Sequence, residues 1–183
     1  MRKQLVRQRL NLNPDLAQKW SEWAQKHLLG ALCFQQAQTI GLYAAFDHEV
    51  DTRLVFERGL TDGKTVAFPR VAGVGAMVYL KETNWQKMIA NEWGILEPAA
   101  ASSELPIAEL DLVVVPGVAF AKNGGRLGFG GGYYDRLLAK LKPDTLTVGF
   151  AYGFQVFENL PLDETDRKVK RIVTEQGFLK MCP

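Results

Sequence analysis

The apolar run Leu112–Val115 constrains the fold of this chain more than any other segment, because it offers no polar face to water. In a β-strand, successive side chains point to opposite faces of the sheet. A strand that is apolar on both faces must be covered on both, which is typical of a parallel sheet with helices packed on either side. The run therefore predicts an interior strand of an α/β sheet.

The remainder of the chain alternates between helical and strand-like patterns. Helices are predicted over residues 2–10, Asp15 to Leu28, Asp51 or Thr52 to about Leu60, and Tyr134 to Leu141. Strands are predicted over residues 38–45, 65–68, 76–80, 145–150 and 171–174, whereas 84–98 is expected to be irregular or weakly helical. The alternation predicts a single α/β domain over residues 1–183, with a mostly parallel sheet flanked by helices. We expect the ligand site at the carboxyl ends of the strands, where such sheets bind their ligands.

Composition argues against several classes of protein. The 183 residues are 47% hydrophobic and 23% charged, which is ordinary for a globular protein. A net charge of +2 does not favour nucleic acid as a partner. No apolar run reaches membrane-spanning length, and Arg7 and Arg9 interrupt the region where a signal peptide would be apolar. A cytoplasmic protein is expected, with Cys33 and Cys182 as reduced thiols because they lack metal or redox spacing.

A glycine-rich segment at 124–136, Gly-Gly-Arg-Leu-Gly-Phe-Gly-Gly-Gly-Tyr-Tyr-Asp-Arg, carries the clearest sign of function. Residues 128–132 of this segment form what we call the glycine loop. Because glycine has no Cβ, a ligand can lie directly against the backbone N–H groups of this loop. The helix predicted to follow adds unpaired N–H groups and a positive dipole end, which suit a phosphate. Arg126 adds a permanently charged fork, and Asp135 can hold a metal ion that travels with phosphates.

This segment is neither of the two common phosphate-binding loops. Gly130 is followed by two glycines rather than by the Lys-Ser/Thr of a Walker loop. A dinucleotide fingerprint that starts at Gly128 would need glycine where Tyr133 stands. A flexible hairpin without a ligand is the plainer alternative, but linkers are polar, and this segment lies between apolar strand and helix patterns. We therefore predict a nucleotide-phosphate site.

The glycine-rich segment and several weaker motifs together resemble the 5-formyltetrahydrofolate cyclo-ligase family, also called methenyltetrahydrofolate synthetases. The motifs occur in the family's order at residues 3–7, 49–52, 68–70, 93–98, 115–120, 126–136, 166 and 172–175. The resemblance implies an enzyme that uses ATP and Mg²⁺ to cyclise 5-formyltetrahydrofolate to 5,10-methenyltetrahydrofolate. In that reaction ATP phosphorylates the formyl oxygen, the side-arm nitrogen attacks the activated carbon, and ADP and phosphate are released.

The resemblance also implies roles for individual residues. The ATP-binding residues are Lys3, Arg7, Arg126, Leu127, Gly128, Phe129, Gly130, Gly131, Gly132, Tyr133 and Tyr134; the folate-binding residues are Arg7, Ala44, Glu49 and Tyr133; the metal ligands are Asp135 and Asp166; and Arg126 and Tyr133 are catalytic. The implied partner is a folate, with or without a polyglutamate tail. A monomer that binds neither nucleic acid nor membrane is expected.

Plainer interpretations stay open for most of these residues. Lys3 and Arg7, four apart on one helical face, also fit an ordinary solvated surface. Glu49 could be an ordinary acidic residue of a turn. Asp135 could stabilise the dipole of its helix, and Asp166 could be an exposed carboxylate with no ligand. For the whole chain, the alternatives are a non-catalytic folate- or nucleotide-binding protein and a kinase-like enzyme for another formylated or carboxylated substrate.

Overall fold

The computed structural model describes residues 1–180, which contain five α-helices and thirteen strands. The helices are α1 (Arg2–Leu10), α2 (Pro14–Leu29), α3 (Leu32–Gln36), α4 (Arg53–Thr61) and α5 (Tyr133–Leu138). The strands are β1 (Thr39–Gly41), β2 (Thr65–Gly73), β3 (Ala76–Lys81), β4 (Ile89–Ala90), β5 (Leu96–Glu97), β6 (Glu104–Leu105), β7 (Leu112–Val115), β8 (Ala119–Ala121), β9 (Arg126–Leu127), β10 (Leu146–Phe150), β11 (Val156–Phe157), β12 (Arg171–Thr174) and β13 (Gly177–Phe178). Short 3₁₀ turns lie at Trp85–Lys87, Ile107–Glu109 and Gly153–Gln155.

Eight strands form the central sheet, in the order β13-β12-β10-β7-β1-β2-β3-β6. The five strands from β12 to β2 are parallel to one another, and the outer strands β13, β3 and β6 pair antiparallel. Two small sheets, β11-β8-β9 and β4-β5, lie outside it. The predicted α/β fold with a mostly parallel sheet is confirmed.

Strand β7 is buried on both faces, as its sequence predicts. Leu112 and Val114 pack in a core cluster that also contains residues of α2 and α4, such as Leu28 and Phe56. Val113 and Val115 point to the other face, into a second cluster that contains Leu137 of α5. All four residues of β7 are fully buried. Helices on both faces of the sheet follow from this single apolar strand.

The course of β2 differs from the prediction that it ends at Pro69. The strand continues to Gly73, and Pro69 lies opposite Tyr79 in the antiparallel pair with β3. Pairing with β1 stops at Ala67, so no strand on that side requires the N–H that proline lacks. A proline is therefore tolerated within this strand.

Two other boundaries shift, and the segment 84–98, expected to be irregular or weakly helical, forms regular structure instead. The strand predicted over 38–45 is shortened to β1, and the chain beyond Gly41 leaves the sheet as buried extended backbone, held where Thr52 Oγ1 donates to the Tyr43 carbonyl at 2.5 Å. Helix α5 ends at Leu138 rather than Leu141. Residues 84–98 form a 3₁₀ turn and the β4–β5 hairpin.

Two features bear on the composition-based predictions. Among residues 1–180, no helix is long and apolar enough to cross a bilayer. Cys33 is a free, partly buried thiol, and Cys182 lies outside the described residues.

Candidate active site

The glycine loop lies at the carboxyl edge of the central sheet. The Phe129 ring meets Phe46, which follows β1, edge-on with 6.3 Å between ring centroids. From the last turn of α5, Arg136 Nε donates to the carbonyl of Gly75 in the turn after β2, and Arg136 Nη2 donates to the carbonyl of Gly131. The loop is therefore tied to segments that follow two parallel strands.

Two glycines of the loop have backbone conformations that other residues rarely adopt. The φ angles are +102° at Gly130 and +65° at Gly132, and Gly132 is the N-cap of α5. These left-handed positions favour glycine because a Cβ would strain them. Helix α5 has only six residues, so its dipole adds less to the loop than a long helix would.

Arg126 and Asp135 lie together beneath the glycine loop. Arg126 Nη2 donates to Asp135 Oδ1 at 3.0 Å and Oδ2 at 2.9 Å, and the two side chains are 5% and 17% exposed. A Cβ on Gly128 would lie 2.7 Å from Arg126 Nη1. Arg126 also packs over the Tyr134 ring, with 5.5 Å between the guanidinium carbon and the ring centroid. Arg126, predicted to contact phosphate, and Asp135, predicted to hold a metal ion, are thus adjacent and form an ion pair with each other.

The structure brings the segment that contains Asp166 to Asp135. The backbone N–H of Arg167 donates to Asp135 Oδ1 at 3.1 Å, and Asp166 Oδ2 accepts from the N–H of Asp163 at 2.8 Å. No cluster of three or more His, Cys, Asp or Glu side chains suited to a metal forms within residues 1–180. Two carboxylates completed by water and phosphate oxygens still fit Mg²⁺, which usually keeps several waters.

Helix α1 reaches the glycine loop, but through an arginine that the sequence analysis did not select. Arg2 Nε donates to the carbonyl of Gly128 at 2.7 Å, and a Cβ on Gly130 would lie 3.6 Å from Arg2 Nη1. Lys3 and Arg7 are exposed, and across residues 1–180 neither forms a hydrogen bond or ion pair with the loop. Arg2 is exposed as well, but it stands three residues before buried Leu5 on the same side of the helix, and this periodicity is the signal that could have selected it.

Glu49 is buried beside a second arginine of α1 that was also missed. The Glu49 side chain is 8% exposed, and its Oε1 lies 3.6 Å from Nη1 of Arg9, which is 1% exposed. Asp47 and His48, just before it, have φ angles of +48° and +57° and form a tight turn. Burial raises the pKa of Glu49 from 4.5 to about 7, although the charge of Arg9 opposes the rise. This carboxyl group therefore changes its charge near neutral pH.

The remaining predicted folate contacts occupy the same edge. Ala44 is buried in the segment between β1 and Glu49. Tyr133 is partly buried at the start of α5, and the Arg136 guanidinium carbon lies 5.6 Å from its ring centroid. Tyr134 is also partly buried, and because its hydroxyl group is buried, desolvation raises the pKa of that group well above the usual range.

Comparison with known proteins identifies the family. Residues 1–175 match the sequence profile of the 5-formyltetrahydrofolate cyclo-ligase family. The chain belongs to this family. The 5-formyltetrahydrofolate cyclo-ligase of Escherichia coli is 32% identical over 175 residues, which cover 93% of this chain and 96% of the relative. The enzyme of the same name from Haemophilus influenzae is 33% identical, with 91% of each chain covered.

Solved structures agree with this membership. The 5,10-methenyltetrahydrofolate synthetase of Aquifex aeolicus superposes with a TM-score of 0.87 at 35% identity, covering 100% of this chain and 91% of that one. The corresponding protein of Mycoplasma pneumoniae has a TM-score of 0.78 at 24% identity, with coverage of 95% and 96%, and supports the fold alone. The family resemblance and the α/β fold predicted from the sequence are confirmed.

Proposed function

We propose that this protein is a 5-formyltetrahydrofolate cyclo-ligase that converts 5-formyltetrahydrofolate and MgATP to 5,10-methenyltetrahydrofolate, ADP and phosphate. Family membership supports the overall reaction. One structural observation supports the use of ATP: a buried arginine and a carboxylate converge beneath a glycine loop at the carboxyl edge of the sheet. This combination of backbone amides, fixed positive charge and oxygen ligands suits phosphoryl transfer, in which enzymes mainly position groups and neutralise charge.

The proposed reaction proceeds in two steps. The formyl oxygen attacks the γ-phosphorus of ATP, an O–P bond forms, and ADP leaves. The side-arm nitrogen then attacks the formyl carbon and loses its proton to solvent, and the C–O bond breaks to release phosphate. Phosphorylation is needed because an amide-like oxygen is a poor leaving group by itself.

Arg126 and Asp135 are proposed to exchange partners when the nucleotide binds. Arg126 Nε is buried and has no hydrogen-bond partner within residues 1–180, so this guanidinium has a donor to spare. Asp135 and Asp166 would hold Mg²⁺, which neutralises phosphate charge when bound. To do so, Asp135 has to release Arg126, whose charge is then available to the transferred phosphoryl group. Arg126 is proposed as a catalytic residue on this basis.

The folate is proposed to bind between the turn at Glu49 and the start of α5. The pterin ring presents neighbouring N–H groups along one edge, and an ionised Glu49 can accept from two of them. Ala44 leaves room for the ring, and Tyr133 offers an aromatic face on which it can stack. On α1, the contact with the glycine loop favours Arg2 as a phosphate-side residue, alongside the Lys3 and Arg7 that the family resemblance implies.

Measuring ADP release with and without 5-formyltetrahydrofolate tests the proposal. We expect ADP release to depend on the folate and to match the formation of methenyl product, followed by its near-ultraviolet absorbance. Folate binding without product or ADP would indicate a non-catalytic binding protein. ADP release that requires a different formylated or carboxylated compound would indicate a kinase-like enzyme.

A further inference from the structure

Arg9 lies at the junction of three segments of the proposed site. Its Nε donates to the carbonyl of Asp47 at 2.8 Å, and its Nη1 is 3.6 Å from Glu49 Oε1. Its guanidinium carbon is 5.9 Å from the ring centroid of Phe129 in the glycine loop. One buried side chain therefore connects α1, the turn before Glu49 and the glycine loop.

A purely structural role explains this arrangement poorly. A buried ion pair is weak evidence for stability, because desolvation of the two charges offsets much of their attraction. The Arg9 guanidinium is also incompletely paired, since its Nη2 is buried without a hydrogen-bond partner within residues 1–180. Apolar residues of similar size would fill the same space without that cost.

We propose that Arg9 is a positioning residue for the folate, which favours the ionised form of the Glu49 carboxyl group and fixes it in the orientation that accepts the N–H edge of the pterin. The inference rests on the proposed function, in which Glu49 binds that edge. Arg9 acts through Glu49 because it already donates to the turn and faces the carboxylate. Without Arg9, the buried carboxyl group would take up a proton and lose its capacity to accept from two N–H groups.

The groups around Glu49 leave Arg9 as its main positive neighbour. Asp47 on the same turn is negative and disfavours a second carboxylate. The phenol groups of Tyr43 after β1, Tyr134 on α5 and Tyr152 after β10 also lie within electrostatic range of Glu49. Burial raises the pKa of all three tyrosines, so they stay neutral at the pH values of interest and do not replace the charge of Arg9.

The titration of Glu49 tests the proposal without any ligand. The ¹³C signal of the Glu49 carboxyl group, assigned by its loss in Glu49→Gln, is followed from about pH 5 to about pH 9 in the wild type, Arg9→Met and Arg9→Lys. We expect Arg9→Met to raise the midpoint by about one pH unit or more, as loss of a nearby opposite charge does. Arg9→Lys keeps the charge and should stay near the wild type. An unchanged midpoint in Arg9→Met would overturn the proposal.

Binding of 5-formyltetrahydrofolate, measured by calorimetry without ATP, tests the link to the substrate. We expect Arg9→Met to weaken binding about fivefold or more near pH 7, with a loss that shrinks as the pH rises and Glu49 ionises again. Arg58→Met, which removes an exposed arginine from its ion pair with Asp62, is the matched control and should change neither result. A loss of affinity that is the same at every pH would overturn the positioning role.

Two further measurements show whether a failed test reflects misfolding of the variant, an incorrect proposed function, or an incorrect role for Arg9. The double variant Arg9→Met/Glu49→Gln removes both buried charges, so it should unfold at or above the temperature of Arg9→Met and still bind folate poorly at every pH. A wild-type protein that binds no 5-formyltetrahydrofolate would contradict the proposed function. The carboxyl titration would then still decide whether Arg9 keeps Glu49 ionised.

Discussion

Two buried arginines give the proposed site its character at the scale of single residues. Arg9 and Arg126 are 1% and 6% exposed, and each faces one carboxylate, Glu49 or Asp135. Arginine stays protonated at all ordinary pH values, so a buried guanidinium depends on its partner. Each also keeps one buried nitrogen without a hydrogen-bond partner in the described chain. Changes at either carboxylate should therefore affect both stability and function.

Asp135→Asn should reduce both activity and stability. We expect kcat/KM to fall about a hundredfold, because the charge that would hold Mg²⁺ is lost from a preorganised site. Because Arg126 would keep only a neutral partner, the free energy of unfolding should also fall by about 1–3 kcal/mol. Steady-state kinetics and urea denaturation measure the two effects, with Asp62→Asn, which removes the charge from an exposed Arg58–Asp62 ion pair, as the control. Full activity of Asp135→Asn, or full wild-type activity in EDTA, would contradict the metal site.

Glu49 should make stability depend on pH in an unusual direction for an acid. Its pKa is raised from 4.5 to about 7 in the folded state, so the folded protein binds this proton more tightly than the unfolded chain does. The stabilisation is complete below about pH 4.5 and is lost as the pH rises through about 7. Between these two pH limits, Glu49 should change the free energy of unfolding by about 3 kcal/mol. Urea denaturation at several pH values should show that Glu49→Gln removes this part of the pH dependence; an identical profile in the variant would contradict it.

At the scale of elements, α1 and the glycine loop form the two sides of the proposed nucleotide site. Leu5 and Arg9 are buried on the inward face of the helix, and exposed Arg2 lies three residues before Leu5 on the same side. Lys3 and Arg7 form a neighbouring stripe that faces water. The family resemblance predicts site residues on this helix, and the structure adds a basic residue of the same helix that touches the loop.

Alanine variants of the three exposed cations of α1 should separate their contributions. We expect Arg2→Ala to lower kcat/KM for ATP about tenfold or more, because a charge-assisted contact in a partly desolvated site is worth about 1.5–3 kcal/mol. The resemblance predicts losses of about tenfold for Lys3→Ala and Arg7→Ala as well. Melting temperatures should hardly change, since exposed charges contribute little to stability. A loss in Arg2→Ala alone would restrict the α1 contribution to the inward face, and no loss in any variant would remove α1 from the site.

Replacing a left-handed glycine tests the loop itself. Gly132→Ala should cost about 1–2 kcal/mol of stability, because a Cβ is strained at a φ of +65°. Gly63 is the matched control: its φ is +74°, and a Cβ there would meet no atom within 4 Å. At Gly132 a Cβ would also lie 2.8 Å from Arg136 Nη1, at the end of a flexible side chain. Gly63→Ala should therefore lose slightly less stability than Gly132→Ala and keep wild-type affinity for ATP, whereas Gly132→Ala should lose affinity as well. Equal ATP affinities in the two variants would mean that the loop does not bind the phosphates.

For the whole molecule, the parallel sheet determines which distant residues can meet. The segments after β1, β2 and β7 all leave the same edge, so Phe46 and Gly75 both lie close to the glycine loop and α5 although they are far apart in sequence. Helix α1 covers this edge, where Arg2 and Arg9 contact the loop and the turn. The stability of the site should therefore depend on the buried centre of the sheet.

The two faces of β7 should contribute to stability independently. Val113 and Val114 are fully buried in different core clusters, on opposite faces of the sheet. Each Val→Ala change should cost about 2 kcal/mol for the lost methyl groups and the cavity left behind. The double variant should lose about the sum, because the two side chains share no packing partners. Urea denaturation of the three variants measures this, and a strong departure from additivity would contradict two separately packed layers.

Properties that depend on neighbours along the chain were determined by the sequence alone. Leu112–Val115 specified a doubly covered strand, and helix and strand periodicity specified the α/β class, because these patterns record which side chains must avoid water. The phosphate site inferred from the glycine-rich segment stays a prediction, which rests on another local property, the absence of a Cβ in glycine. The end of β2 was misplaced because the tolerance of Pro69 depends on where β1 stops pairing.

Only the tertiary structure decided which charged groups face one another. No local pattern shows that Arg126 pairs with Asp135, that Arg9 lies against Glu49, or that Arg2 rather than Lys3 touches Gly128. These contacts depend on how the helices cover the sheet edge and on how much water they exclude. The charge state of Glu49 depends on the same packing, since desolvation and the distance to Arg9 together determine its pKa.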